Sequence, residues 1–169
     1  TKTVLAAVRD GVATVTLNRA EGANALNMAM GRDLLEVALQ VEADPAVRAV
    51  VVTGAGKHFC FGGDLRGMAE QGAAIGGYLN ELTTNIHAAI SCFVRMKAPV
   101  IAAVNGTAAG GGVGLMCMTD LAIAGRSSRF SLAYTGVGLA ADGSTSLLLP
   151  RTVGRRRALR LHHQPGQPR

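Results

Sequence analysis

Apolar positions along this chain recur at two different spacings, and the switches between them lay out its elements. Val4 to Val8 and Val12 to Leu17 are short β-branched runs around Asp10-Gly11, a pattern that predicts a hairpin. Between Met28 and Val41, residues Gly31, Leu34, Leu35, Ala38 and Val41 share one face, and Arg32, Asp33, Glu36 and Gln40 share the other. A helix is expected there, closed by Pro45. Ala46 to Thr53 is a continuous Val-rich run, as in a strand covered on both faces. A loop carrying Phe59-Cys60-Phe61-Gly62-Gly63-Asp64 follows. Ile75, Leu79, Leu82, Ile86, Ile90 and Phe93 then recur at a mean spacing of about 3.6, which makes this the clearest helix in the chain. After Pro99, Val100 to Val104 predicts a second short strand. Leu115-Met116-Cys117-Met118 reads as a buried helix begun in Gly110-Gly111-Gly112, with the two methionines as core filler. Leu121 to Ala124 predicts a third strand. Asp142 opens a helical stretch that Pro150 interrupts and Val153 to Leu161 resumes. Strand, Gly loop and helix therefore repeat over 46–96 and 100–118, the grammar of an α/β fold built from crossover units.

Composition narrows the class. The 169 residues amount to one domain, expected over 1–161, with a polar tail at 162–169 predicted to be disordered. Hydrophobic residues make up 49%, charged residues 17%, and mean hydropathy is +0.27, which excludes an intrinsically disordered chain. No apolar run approaches the ~20 residues of a membrane span, and Thr1 to Asp10 lacks the basic and greasy segments of a secretory signal. The net charge of +6 comes from Arg151, Arg155, Arg156, Arg157, Arg160 and Arg169, because residues 1–150 are neutral. A basic end is a weak footprint for RNA, and without Trp there is little to stack bases on. A solvated helix face is the simpler expectation. Cys60, Cys92 and Cys117 are odd in number and lack a C-x-x-C, which suits reduced thiols and a cytoplasmic location. No His/Cys/carboxylate set has metal-ligand spacing.

Glycine is the informative excess, at 22 of 169 residues, about twice the usual share. Gly62-Gly63-Asp64 and Gly110-Gly111-Gly112 each follow a strand and precede a helix. Each could present backbone N–H groups near a positive helix end, and two such loops converging would hold one negative oxygen. Close helix–strand packing explains the same glycines equally well. Neither loop matches a nucleotide-phosphate motif. His87 lies beside Thr84 and Ser91 on the polar stripe of the long helix, where a solvated residue is expected.

The run Val50-Val51-Val52-Thr53-Gly54-Ala55-Gly56-Lys57-His58-Phe59-Cys60-Phe61-Gly62-Gly63-Asp64-Leu65, followed by Ala102-Ala103-Val104-Asn105-Gly106-Thr107-Ala108-Ala109-Gly110-Gly111-Gly112, resembles the crotonase (enoyl-CoA hydratase/isomerase) superfamily. Leu17-Asn18-Arg19 with Asn24-Ala25-Leu26, Phe130, Gly138 to Gly143, and Leu149-Pro150-Arg151 with Val153-Gly154 extend the likeness over residues 4 to about 160. The resemblance implies a crotonase-like spiral of ββα units lacking most of the family's C-terminal helices. It also implies a coenzyme A thioester as substrate, no separate cofactor, and a homotrimer or a dimer of trimers if the missing helices are not required; composition, not the resemblance, argues against a membrane or nucleic-acid partner. By the same likeness, the N–H groups of Gly63 and Gly111 bind the thioester oxygen. Lys57, Phe59, Phe61, Gly62, Asp64, Arg66, Gly110 and Tyr134 fall among the substrate contacts, with Asp64 orienting its loop.

The sequence departs from the family pattern at the acid/base positions. Family hydratases place glutamates where Gly114 and Tyr134 stand here, and neither residue can activate water as a carboxylate. Asp142 lies where isomerase relatives carry an acid. It is expected either to shuttle a proton on an enoyl-CoA or to cap the helix that follows. Ala20-Glu21 replaces the family's basic residue after Asn18-Arg19, and His58 sits at a variable family position. Double-bond isomerisation through a stabilised enolate is the leading expectation. Hydration, a non-catalytic acyl-CoA or RNA binder, and a truncated family member remain open.

Overall fold

The computed structural model describes residues 2–163. Strands β1 (Val4–Arg9) and β2 (Val12–Leu17) form the expected hairpin. Asp10 and Gly11 sit at φ of 52° and 81°, both left-handed as a tight two-residue turn between twisted strands requires. Helix α1 (Met28–Ala43) starts where Asn27 accepts a hydrogen bond from the Met30 N–H at 3.0 Å, a side-chain cap worth about 1 kcal/mol.

The chain then alternates between two sheets. Strand β3 (Ala49–Gly54) pairs parallel to β2, while β4 (His58–Cys60) leaves for a second sheet. After α2 (Leu65–Ala69) and α3 (Ile75–Arg95), β5 (Val100–Val104) returns beside β3, and β6 (Thr107–Ala109) joins β4. Helix α4 (Gly111–Cys117) follows, then β7 (Leu121–Ala124) beside β5 and β8 (Phe130–Ser131) beside β6. The result is a five-stranded sheet in the order β1-β2-β3-β5-β7 and a three-stranded parallel sheet in the order β4-β6-β8. From β3 onward each turn of the spiral therefore gives one strand to each sheet before a helix, so a loop leaving the large sheet is held at both ends. Helices α5 (Thr145–Val153) and α6 (Arg155–His163) complete the described residues.

The core lies between the large sheet and α1/α3, around Leu17, Met30, Leu34, Val50, Val52, Leu82 and Phe93. Gly31 brings the two helices together, since a Cβ there would sit 3.1 Å from Leu82 Cδ1.

Several expectations are corrected. The Val-rich run is unevenly covered: Val50 and Val52 are buried, but Val51 and Thr53 are only half-buried. The segment Phe59 to Asp64 is not all loop, because β4 (His58–Cys60) takes in its first two residues. Pro150 does not interrupt α5, and the break comes at Gly154, at φ 82°. The carbonyl that Pro150 cannot serve belongs to Ser146, at the surface, where water can take it. Helix α6 continues through His162 and His163, two residues past the expected domain limit; the rest of the proposed tail, 164–169, lies outside the described residues.

Candidate active site

The two Gly loops meet. A Cβ on Gly62 would fall 2.7 Å from the Ala109 carbonyl and 2.9 Å from the Gly111 nitrogen, and one on Gly112 would fall 2.1 Å from the Cys60 carbonyl. Only residues without side chains let β4 and α4 approach this closely. The bridge between Leu26 and Gly63 uses the N–H groups of Leu26 and Asp64 and the carbonyls of Gly62 and Leu26. It leaves the Gly63 N–H outside the pairing. Gly111 is the first residue of α4, so its N–H has no intrahelical acceptor. Among the described residues neither N–H donates to a protein acceptor. The adjoining loops thus carry two free backbone donors, one of them at a helix N-terminus.

Asp64 and its neighbours fix the first loop. Its Oδ1 accepts from the Gly67 N–H at 3.1 Å, capping α2, and its Oδ2 meets Arg19 Nη2 at 3.0 Å. Arg19 also donates to the Ala25 carbonyl. Asn24, fully buried and left-handed at φ 54°, accepts from the Arg19 N–H at 2.9 Å. It donates to the carbonyls of Ala55 at 2.9 Å and His58 at 2.8 Å. Both Asp64 oxygens are therefore engaged, one by the Gly67 backbone and the other by the Arg19 guanidinium.

Asp142 immediately precedes the turn that packs on the second turn of α4. Gly114, three residues and about 4.5 Å of helix rise beyond Gly111, packs on the Gly143–Thr145 turn. A Cβ there would fall 2.9 Å from both the Gly143 carbonyl and Thr145 Oγ1, so no glutamate fits at this position. Tyr134 is buried and its hydroxyl lies 3.4 Å from Thr145 Oγ1. Burial first, and then the nearby Asp142 charge, push its pKa above the ordinary value despite the Thr145 hydrogen bond. Asp142 does not cap α5 with its side chain. Ser144 holds the cap position, left-handed at φ 63° and without a side-chain bond, and only the Asp142 carbonyl receives the Thr145 N–H.

His87, expected to be solvated, instead reaches Asp142. Its Nε2 lies 3.3 Å from Asp142 Oδ2 and accepts from the Gly143 N–H, also at 3.3 Å. Residues 55 positions apart leave no mark of such a contact in one sequence. The one available signal was the polar stripe of α3, which also suits plain solvation.

Other expected substrate contacts are not gathered. Phe59 is fully buried in the core, so its side chain is packing and cannot meet substrate there, a correction. Phe61 is exposed and tilts against His58, ring centroids 4.5 Å apart. Lys57 is exposed, and its carbonyl packs on Gly106. Arg66 points to solvent and pairs with Glu70 at 3.4 Å. Burial pushes the Cys60 thiol up to about 12 and the Cys117 thiol up to about 11. Burial and then the Glu42 contact push Cys92 up to about 11, so none of the three is a thiolate nucleophile at neutral pH. Among the described residues no His, Cys, Asp or Glu cluster could hold a metal ion, and no helix is long and apolar enough to cross a membrane.

Residues 7–165 match the profile of the family described as enoyl-CoA hydratase/isomerase. The chain is 39% identical over 166 residues to the 1,2-epoxyphenylacetyl-CoA isomerase of Escherichia coli strain K12, covering 94% of this chain and 61% of that protein. It is 38% identical over 150 residues to the mitochondrial Delta(3,5)-Delta(2,4)-dienoyl-CoA isomerase of Rattus norvegicus, covering 84% and 46%. A crystal structure of an enoyl-CoA hydratase from Polaromonas sp. JS666 superimposes with a TM-score of 0.87 at 31% identity, covering 94% of this chain and 62% of that one. The chain thus spans less than two thirds of the length of each.

Proposed function

The chain belongs to the enoyl-CoA hydratase/isomerase family, and from that membership we propose that it binds an acyl-CoA thioester and moves a double bond by shifting a proton. In the proposed step Asp142 takes the proton from C2 of a 3-enoyl thioester. The C–H electron pair enters the C1–C2 bond, and the thioester oxygen becomes an enolate held by the N–H groups of Gly63 and Gly111. Asp142 then returns the proton at C4, the C1 carbonyl re-forms, and a 2-enoyl thioester results. Each donor aimed at that oxygen contributes about 10²–10³ in rate, because the charge is present only after proton removal.

The observation that carries this reading is the pair of unengaged N–H groups in touching loops, and the turn after Asp142 packs on Gly114 of the same helix. Water addition is supported less. It calls for a second group to activate water, and the Gly114 position is closed by Gly143 and Thr145. Assembly into trimers belongs to the same proposal. It draws on the exposed Leu121 and Ile123 of β7, which leave apolar surface for a neighbouring copy. The test is product analysis on 2-enoyl- and 3-enoyl-CoA with the chain and its Asp142→Asn variant. Migration by the parent and none by the variant, with acyl-CoA binding retained, supports the reading. Full migration by the variant overturns it.

A further inference from the structure

His87 Nε2 faces two partners that make opposite demands. The Gly143 N–H can only donate, so it requires a lone pair on Nε2, whereas an ionised Asp142 can only accept and requires a proton there. A ring nitrogen carries either one lone pair or one proton, so the two contacts are alternatives. Beside an ionised Asp142, Nε2 carries the proton, donates it to Oδ2 and releases Gly143. Oδ2 still accepts when the other carboxyl oxygen takes up a proton, so the same Nε2–H bond can hold Asp142 in both states.

The two side chains are 46% and 45% exposed. At that exposure an ion pair contributes little to stability, so the geometry is not explained as a brace for the fold. Asp142 is followed by two left-handed residues, Gly143 at φ 54° and Ser144 at φ 63°, and its carbonyl receives the Thr145 N–H. Ile90, on the next turn of α3, lies 3.4 Å from where a Gly143 Cβ would be, so α3 is the surface against which this turn is set.

We propose that His87 is a positioning residue for Asp142, fixing Oδ2 through Nε2 in both protonation states so that the other carboxyl oxygen meets substrate. This rests on the proton-shift reading above and extends it to a residue outside the loops that the family likeness identified. In the first half-step Oδ1 of Asp142 gains the C2 proton while the Nε2–H of His87 goes on donating to Oδ2. In the second Oδ1 delivers that proton to C4, and the His87 proton stays on the ring throughout.

The test follows exchange of the C2 hydrogen of a 3-enoyl-CoA with deuterated water, together with migration of its double bond, in the full chain. His87→Leu is expected to lower kcat about 10–100-fold, the cost of a misplaced reacting group, with KM changed less than about twofold. His87→Asn, one atom too short to reach Oδ2, should match it, which covers the case in which the leucine variant misfolds. His87→Gln places an amide nitrogen where Nε2 stood and should recover most of kcat. Wild-type exchange in His87→Leu or His87→Asn, with Asp142→Asn inactive, overturns the role of His87 and leaves the proton-shift reading standing. A loss that glutamine does not reverse overturns it as well. Wild-type exchange in Asp142→Asn overturns the underlying reading instead.

Discussion

The loops at Gly62–Asp64 and Gly110–Gly112 and the turn at Asp142–Ser144, which packs on Gly114 of α4, are held in place by different means. The loops are set by backbone. Each joins a strand of the small sheet to a helix, and Asn24, Arg19 and Asp64 tie the first of them through five hydrogen bonds to main-chain groups and one ion pair. The Asp142 turn is set by side chains. His87 approaches from α3, Tyr134 and Thr145 lie beneath, and the carboxylate remains half in water. A donor that must meet developing charge gains from rigidity, because it then needs no reorganisation when the charge appears. A group that takes a proton at one carbon and delivers it at another gains from some freedom. Substitutions in the two regions should therefore fail differently, one kind through the fold and the other through the chemistry.

The largest separation is expected at Asp142. Asp142→Asn should lower isomerase turnover by about 10²–10⁴-fold while the melting temperature stays close to that of the parent, because an exposed carboxylate contributes little to stability. Paired calorimetry and product analysis check this. A melting temperature that falls together with turnover would erase the distinction between the regions.

Gly112→Ala should do the reverse. Its Cβ would fall 2.1 Å from the Cys60 carbonyl and 2.9 Å from Cys60 Cβ, and neither backbone nor a buried side chain can yield cheaply. Destabilisation of about 1–3 kcal/mol is expected, seen as a shift in the denaturant midpoint, with turnover lost only in proportion to the folded fraction and to displacement of Gly111. An unshifted midpoint would mean that the loops are more compliant than their contacts imply.

The same contrast explains what could be read from the amino acids alone. The hairpin was legible because Asp10-Gly11 can occupy two left-handed positions, and α3 because Ile75 to Phe93 keeps one period over five turns. The strands β4, β6 and β8 were not, since two or three residues are too few to establish alternation and their partners lie far along the chain. Phe59 shows the consequence: inside a motif it looked like a substrate contact, but its place in β4 turns it into the core. Clustered glycines announce close approach by their type, which made the two loops visible, whereas Gly63 and Gly111 were singled out only by the family resemblance. His87 needed the fold, because its partner is 55 residues away.

A smaller effect is expected at Asn24, the buried residue that joins Arg19, Ala55 and His58. Asn24→Ala removes three hydrogen bonds and leaves two carbonyls and one N–H to find other partners. At about 1 kcal/mol net for a typical bond, partly recovered by water at the loop edge, a loss of about 1–2 kcal/mol follows. Asn24 also sits at φ 54°, where alanine adds strain. Hydrogen exchange should rise at the Phe61 and Asp64 amides, which bond to the Ala23 and Leu26 carbonyls of this segment, while the Asp142 turn stays unchanged. Faster exchange on both sides would show that the two regions move as one.

The least effect is expected far from both regions, where Asp33 on α1 holds the start of β1. Burial works to raise its carboxyl pKa. Hydrogen bonds from the Thr3 hydroxyl and backbone N–H, at 2.7 and 2.6 Å, outweigh it and bring the value below the usual 3.8. A carboxyl whose folded pKa is depressed contributes stability that is fully present above the unfolded value and is lost as pH falls through the folded one. The parent should therefore be slightly more stable than Asp33→Asn at neutral pH, and the gap should close below about pH 4, where the unfolded chain begins to hold the proton. Melting temperatures of the two proteins across that range check the sign. A gap that widens in acid would reverse it and place the stabilisation in the protonated form. Because Asp33 touches neither the Gly loops nor the Asp142 turn, turnover at neutral pH should match between the two proteins. That makes the pair a control for every comparison above: a change in activity here would mean that small losses of stability alone reach the site.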